Sequence, residues 1–230
     1  MISAIRWTVA GAALGASAWA LYAVFAWFRY GQAKYSLMPE DADLLLDRFM
    51  PIYEVAERHE IRVTAPASIA LNAATELNFQ RSAIIRAIFK TREFILRSKP
   101  EKTSLPPALL AQVKALGWGV LAEIPGREVV MGAVTRPWEA NVVFRTLPPE
   151  EFAAFHEPDY VKIAWTLRAD PVTASESTIR TETRVATTDA GARAKFRRYW
   201  AFLSPGILLI RRISLKMVKQ EAEQRARQRH

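Results

Sequence analysis

In the second half of the chain, a series of segments in which every second residue is apolar is followed by one long segment with helical periodicity. Of all the sequence features, this order of strands followed by a long helix restricts the possible folds most. Within Tyr160–Arg168, Val161, Ile163, Trp165 and Leu167 alternate with Lys, Ala, Thr and Arg, which is typical of a half-buried strand. The same alternation predicts four further strands here, Trp118–Ile124, Glu128–Val134, Asn141–Thr146 and Thr178–Thr187. A sheet with one apolar face must cover that face, and only the C-terminal segment is long enough to do so.

The segment after Asp189 is predicted to be one long helix, with Asp189 as its N-cap. Apolar residues recur in it at three- and four-residue steps and form a stripe that includes Phe196, Tyr199, Trp200, Leu203, Ile207, Ile210, Leu215 and Val218. The sequence Ser204-Pro205-Gly206 predicts a kink or a short break in this helix, because proline removes a backbone hydrogen bond.

The residues before the sheet predict one more strand and several helices. Glu57–Thr64 alternates, with His59, Ile61 and Val63 on one face, while Ala67–Asn78 and Arg81–Arg97 have helical periodicity. Residues 31–56 are predicted to be a connector with a short helix that begins near Asp41. In the last predicted strand, Arg180, Glu182 and Arg184 share one face, where cross-strand charge pairs account for them.

Residues 7–28 contain no charged side chain and are bounded by Arg6 and Arg29. As a helix, this stretch is about 33 Å long, enough to cross a hydrocarbon core of about 30 Å. It therefore predicts an uncleaved, single-pass membrane anchor; a signal peptide and a buried helix are the alternatives. The Lys/Arg count favours a cytoplasmic C-terminal domain. Gly11 and Gly15 form a GxxxG pattern through which two such helices could form a homodimer, although glycine is common in these helices.

The net charge of +9 lies in the C-terminal segment. Residues 193–230 hold eleven basic and two acidic residues, which leaves residues 1–192 without net charge. Three interpretations remain open: a solvated helix face, attraction to anionic lipid headgroups, or nucleic acid. No nucleic-acid-reading motif is present, so no nucleic-acid partner is expected. The candidates for an anionic-lipid surface are Arg197, Arg198, Arg211, Arg212, Lys216 and Lys219.

The element order and several segments resemble the START-like family (SRPBCC, or polyketide cyclase/dehydrase). The segments are LLDRFMPIYEVAERHEIRVTAPAS, LGWGVLAEIPGREVVMG, the stretch from Trp138 to Asn141, TETRVATTD and KFRRYWAFLSPG. The resemblance covers about residues 45–226 and implies an α+β, helix-grip fold, in which an antiparallel sheet wraps around a long C-terminal helix. The chain departs from the family in having six predicted strands where seven are usual. The expected organisation is an anchor at 1–30, a connector at 31–56, the START-like domain at 57–227 and a tail at 228–230.

The resemblance also implies a pocket for a hydrophobic or lipid-like small molecule between sheet and helix. Its expected walls are Trp118, Met131, Val142, Phe144, Ile163, Trp165, Phe196, Tyr199 and Trp200, with Thr181 and Thr183 as polar groups. The alternative for each is an ordinary core position. With the predicted anchor, this pocket would bind its ligand beside a membrane.

The residues themselves indicate little chemistry. The chain has no cysteine and three histidines, and it lacks phosphate-loop, GxSxG and HExxH motifs. No catalytic residue, metal ligand or cofactor is therefore assigned. His59 is expected to be a core histidine more than an acid–base group. A binding protein is favoured over a cyclase/dehydrase-type enzyme, and a non-ligand interaction domain using the basic helix is a third hypothesis.

Overall fold

The computed structural model describes residue 15 and residues 17–28, 34–35, 43–97 and 105–228. The helices are α1 (17–28), α2 (Leu44–Asp47), α3 (Ala67–Thr75), a 3-10 turn (Phe79–Arg81), α4 (Ala83–Leu96), α5 (Leu109–Ala115), α6 (Pro149–Ala154) and α7 (Ala190–Arg227). The strands are β1 (Lys34–Tyr35), β2 (Ile52–Tyr53), β3 (Val55–Val63), β4 (Gly119–Ile124), β5 (Glu128–Thr135), β6 (Phe144–Arg145), β7 (Val161–Pro171) and β8 (Ser177–Thr187).

Six of these strands form one antiparallel sheet in the order β3-β8-β7-β5-β4, and β6 pairs with the end of β5. β1 and β2 form a separate two-stranded sheet. The predicted α+β class, with an antiparallel sheet and a long C-terminal helix, is confirmed, and this arrangement is consistent with a helix-grip. The predicted strand at 141–146 is shorter, since only Phe144 and Arg145 pair.

Helix α7 begins where the sequence predicted. Asp189 is its N-cap, and its carboxylate accepts a hydrogen bond of 2.8 Å from the backbone N–H of Ala192. The helix continues through Pro205 to Arg227, so the predicted break is absent. Just before the proline, Ser204 is fully buried and its hydroxyl lies 3.1 Å from the Tyr22 hydroxyl of α1.

The inner face of the sheet, which faces α7, carries two buried clusters. The first lies toward the C-terminal half of α7, where Leu215 and Val218 pack against Val63 and Ile179. The second lies toward its N-terminal half and contains Val55, Val161, Val185, Phe196 and Trp200. These clusters tie the two ends of the helix to the sheet.

The outer face of the sheet is also covered, which the sequence did not predict. Leu46, Phe49 and Met50 from the segment around α2 pack with Val130 and with further buried residues of the sheet and α6. The expectation of one apolar face is therefore wrong, because the connector residues supply a second core. One consequence is that Arg184, predicted on an open charged face, is completely buried.

The prediction of a single-pass membrane location with a cytoplasmic domain is wrong. Among the described residues, every helix is too short or too polar to cross a membrane. The described end of the predicted span, α1, packs on α7: Ala26 is buried, and Arg197 donates a hydrogen bond of 2.6 Å to the Trp27 carbonyl. Gly11 and the first part of the predicted span lie outside the described residues. Among the described residues, none lies within 4 Å of a Cβ built onto Gly15.

Candidate ligand-binding site between the sheet and the C-terminal helix

The side chains of α7 are less completely buried at the centre of the helix than toward its ends. Ser204 and Leu215 are buried, but none of residues 205–214 between them is. In β3, likewise, the side chains between Val55 and Val63 that face α7 are only partly buried. Side chains that face a protein interior are normally buried, so this partly exposed region is the candidate binding site. We call it the central zone, and it consists of Glu57, His59, Ile61, Trp165, Thr181, Thr183, Ile207 and Arg211.

Strand pairing brings the polar groups of the central zone together. Glu57 of β3 lies opposite Thr183 of β8, and His59 lies opposite Thr181. Arg211 of α7 reaches the sheet from the other side, and its Nη2 donates a hydrogen bond to the Thr183 hydroxyl. The His59 Nε2 lies 3.8 Å from a Glu57 carboxylate oxygen. Both threonines were predicted as polar groups of the pocket; the structure places Thr183 beside Arg211 and Thr181 opposite His59.

The electrostatics of this cluster follow from its burial. Desolvation lowers the pKa of Arg211 to about 10, with the Glu57 carboxylate acting in the opposite direction, so the guanidinium remains charged at neutral pH. Burial and then the positive charge of Arg211 lower the pKa of His59, against the effect of Glu57. The His59 imidazole is therefore neutral at pH 7.

Two polar atoms of the cluster have unmet hydrogen-bonding capacity. Arg211 Nε and His59 Nε2 are buried and have no hydrogen-bond partner among the described residues. Burying a polar group without a partner costs about 1–3 kcal/mol, so each such atom requires an explanation.

Aromatic side chains form the next part of the interior. Trp165 lies opposite Thr183 on one side and Met131 on the other. Its ring centre is 6.2 Å from that of Trp118, which in turn is 5.0 Å from that of Phe144. Trp118, Phe144 and Trp165 are all partly buried, whereas Met131 is fully buried. We call these three rings the aromatic wall, and it gives the site an apolar side next to its polar one.

The other predicted wall residues lie outside the central zone. Phe196 and Trp200 belong to the buried cluster at the N-terminal half of α7, with ring centres 5.7 Å apart. Ile163 and Tyr199 are partly buried against the same cluster. Val142 is partly buried in the connection between β5 and β6. The pocket role of these residues stays a prediction.

The six basic residues predicted to form one lipid-facing surface do not lie on one exposed surface in the structure. Arg198, Arg212 and Lys216 are exposed. Arg197 lies with its guanidinium 4.3 Å from the Trp27 ring centre, and Lys219 donates to the carbonyl of Arg62 at 2.8 Å. Arg211, expected on the same surface, instead points into the interior.

Sequence reasoning missed both charged members of the site. Arg211 lies four residues after Ile207 and four before Leu215, so it occupies the apolar stripe of α7. Glu57 lies two residues before His59, and alternation places it on the same inner face. A charged residue within an apolar stripe was the signal that could have identified both.

A surface groove of about 240 Å³ lies elsewhere, between the end of α3 and the C-terminal turns of α7. Its lining residues are mostly polar: Glu76, Leu77, Asn78, Arg81, Met217, Gln220, Glu221, Gln224 and Arg225. None of the predicted wall residues contributes to it. Within the part of the chain that the structure describes, no group of three His, Asp or Glu side chains could hold a metal ion.

No family model matches this chain, and no curated protein matches it. Solved structures that are similar to it include the Zhui aromatase/cyclase from Streptomyces sp. R1128 (14% identity, TM-score 0.32, covering 74% of this chain and 94% of that one). The di-domain ARO/CYC BexL from the BE-7585A biosynthetic pathway is 15% identical, with a TM-score of 0.28, and the match covers 74% of this chain but only 46% of that chain. A START superfamily protein from Mycobacterium smegmatis is 13% identical, with a TM-score of 0.24, and the match covers 76% of this chain and 99% of that one. Likenesses this distant assign no activity to this chain.

Proposed function

We propose that this chain binds a hydrophobic small molecule in the central zone, between the inner face of its sheet and α7. The observation that carries this proposal is the partial exposure of residues 205–214 between two buried clusters. An apolar ligand with a few polar groups suits a site that has an aromatic wall on one side and a threonine–arginine cluster on the other.

The test uses the full chain. Native mass spectrometry after purification, followed by extraction with organic solvent, should reveal a retained hydrophobic molecule. Binding of Nile red, an uncharged apolar dye, then measures access to the site. Ile207→Trp should fill the central zone and weaken dye binding at least tenfold, because Ile207 is on the inner stripe of α7.

Leu209→Trp is the matched control. Leu209 is on the same helix but 45% exposed, so the same substitution there adds an indole outside the interior. Circular dichroism verifies that both variants fold. Equal dye affinity of the two variants, or a wild-type protein that binds no dye and retains no molecule, would overturn the proposal.

A second candidate function is a cyclase/dehydrase-type reaction on such a ligand. It is favoured by the neutral, partly buried imidazole of His59, whose Nε2 has no hydrogen-bond partner among the described residues and could accept a proton. His59→Gln should then preserve Nile red affinity while the retained molecule no longer loses water on incubation with the protein. Unchanged ligand mass with wild-type protein would eliminate this candidate.

A further inference from the structure

Arg211, a partly buried side chain whose Nε is buried, differs from Arg184, which is completely buried. Arg184 donates from Nε to Glu182 at 2.7 Å, and its Nη1 donates to Asp47 and to the Met50 carbonyl. Its charge is therefore compensated by two carboxylates. The ion pairs among the described residues include none with Arg211, whose one hydrogen bond there goes to a neutral hydroxyl.

A guanidinium that faces the interior without a paired carboxylate lowers the stability of the folded protein. Burying a charge is tolerated when it is paired and hydrogen-bonded, and the carboxylate of Glu57 acts on Arg211 only at longer range. A guanidinium is also built to donate several parallel hydrogen bonds to an anionic oxygen group. Arg211 Nε, buried and without an acceptor in the described structure, is one donor that such a group would satisfy.

We propose that the molecule bound in the central zone carries an anionic oxygen group that pairs with Arg211. This inference rests on the proposed binding function and adds the chemical class of the ligand: an amphiphilic acid, with a carboxylate or a phosphate at one end. The acid pairs with the guanidinium, and the apolar part lies along the aromatic wall. Glu57, on the strand opposite, is the carboxylate that competes with the ligand for the same charge.

The experiment measures displacement of Nile red from the full chain by four probes that each contain sixteen carbon atoms in an unbranched chain. The probes are hexadecanoic acid, hexadecyl phosphate, hexadecanol and hexadecylamine. The wild-type protein should bind at least one of the two acids tenfold or more tightly than the alcohol, and the amine no more tightly than the alcohol. The ratio between the two acids distinguishes a carboxylate from a phosphate ligand.

Variants on α7 assign the effect to one side chain. Arg211→Met should weaken binding of the acids at least tenfold and weaken binding of the alcohol by a much smaller factor. Arg212→Met, the exposed neighbour, removes the same charge from the helix surface and should change neither. Glu57→Gln should strengthen acid binding, because it removes the competing carboxylate. Thermal unfolding should show Arg211→Met to be at least as stable as the wild type.

The outcomes separate the two proposals. Equal affinity of the wild type for acid and alcohol, or equal losses in Arg211→Met and Arg212→Met, overturns the anionic-group inference and leaves the binding function in place. A wild-type protein that binds neither Nile red nor any probe overturns both.

Discussion

Replacing Arg184 tests whether the covered outer face of the sheet is as important as the inner one. The Arg184 side chain has no exposed surface and lies 4.7 Å above the Tyr53 ring. It links Glu182 of the sheet with Asp47 and the Met50 carbonyl in the segment around α2. Arg184→Met keeps most of the side-chain volume but removes all of these hydrogen bonds.

The expected loss in the free energy of unfolding depends on which interactions Glu182 and Asp47 keep after Arg184 is replaced. Removing one member of a buried ion pair costs about 3–5 kcal/mol, because the other charge is left without compensation. Here the Glu182 carboxylate, 5% exposed, keeps a 2.7 Å ion pair with Arg58, and Asp47, 26% exposed, can regain water. The loss should therefore lie near the lower end of that range, at about 3 kcal/mol. Total stabilities are typically about 5–15 kcal/mol.

Urea unfolding, followed by tryptophan fluorescence, measures this loss as a shift in midpoint at constant slope. Arg62→Met is the matched control. Arg62 lies on the same sheet as Arg184 and forms an ion pair with Glu176, but its side chain is 63% exposed. Exposed pairs contribute about 0–1 kcal/mol, so the control should lose little. A loss for Arg184→Met no greater than that of the control would refute the argument that this network holds the outer cover in place.

Three further predictions concern the core and its pH dependence. Burial, followed by the negative charge of Asp43 and the hydrogen bond that protonated Glu128 donates to the Asp43 carboxylate, raises the pKa of Glu128 to about 7 from an ordinary 4.5. Since the folded protein holds this proton more tightly, stability should fall as pH rises from 4.5 to 7, by at most about 3.5 kcal/mol at ~1.4 kcal/mol per unit. Glu128→Gln should flatten that slope in urea titrations at several pH values. Phe152→Ala should cost about 3–5 kcal/mol in the same assay, because Phe152 has no exposed surface in the outer cluster. Gly132→Ala should cost about 1–3 kcal/mol, since its Cβ would lie 2.4 Å from a Leu121 methyl group; thermal unfolding that matches the wild type would show that Leu121 moves freely.

The strands and long helix were predictable because their signals are local. Alternation in Tyr160–Arg168 and Thr178–Thr187 reports which face of a strand is buried, and the N-cap at Asp189 depends on a hydrogen bond within four residues. The cross-strand pairs of Arg58 with Glu182 and of Arg180 with Glu60 also follow from alternation plus register.

The uncharged N-terminal stretch led to a wrong prediction of a membrane anchor, because hydrophobicity alone does not show whether lipid or protein contacts an apolar helix. A helix apolar on several faces suits lipid, but it also suits a protein surface that buries one of those faces. In this chain Tyr22, Ala26 and Trp27 pack on α7, which no pattern within residues 7–28 could reveal. The burial of Arg184 was not predicted for the same reason, since the residues that bury it lie more than 130 positions away in sequence.

The amino-acid sequence by itself determined the element order, the antiparallel sheet and the helix that covers it, since each depends on periodicity and nearby contacts. Only the tertiary structure decided the composition of the site. Arg211, placed on the charged surface by its neighbours in sequence, enters the interior because Ile207 and Leu215 fix the face of α7 that meets the sheet. It meets Thr183, Glu57 and His59 there because strand register, a long-range property, aligns β3 with β8.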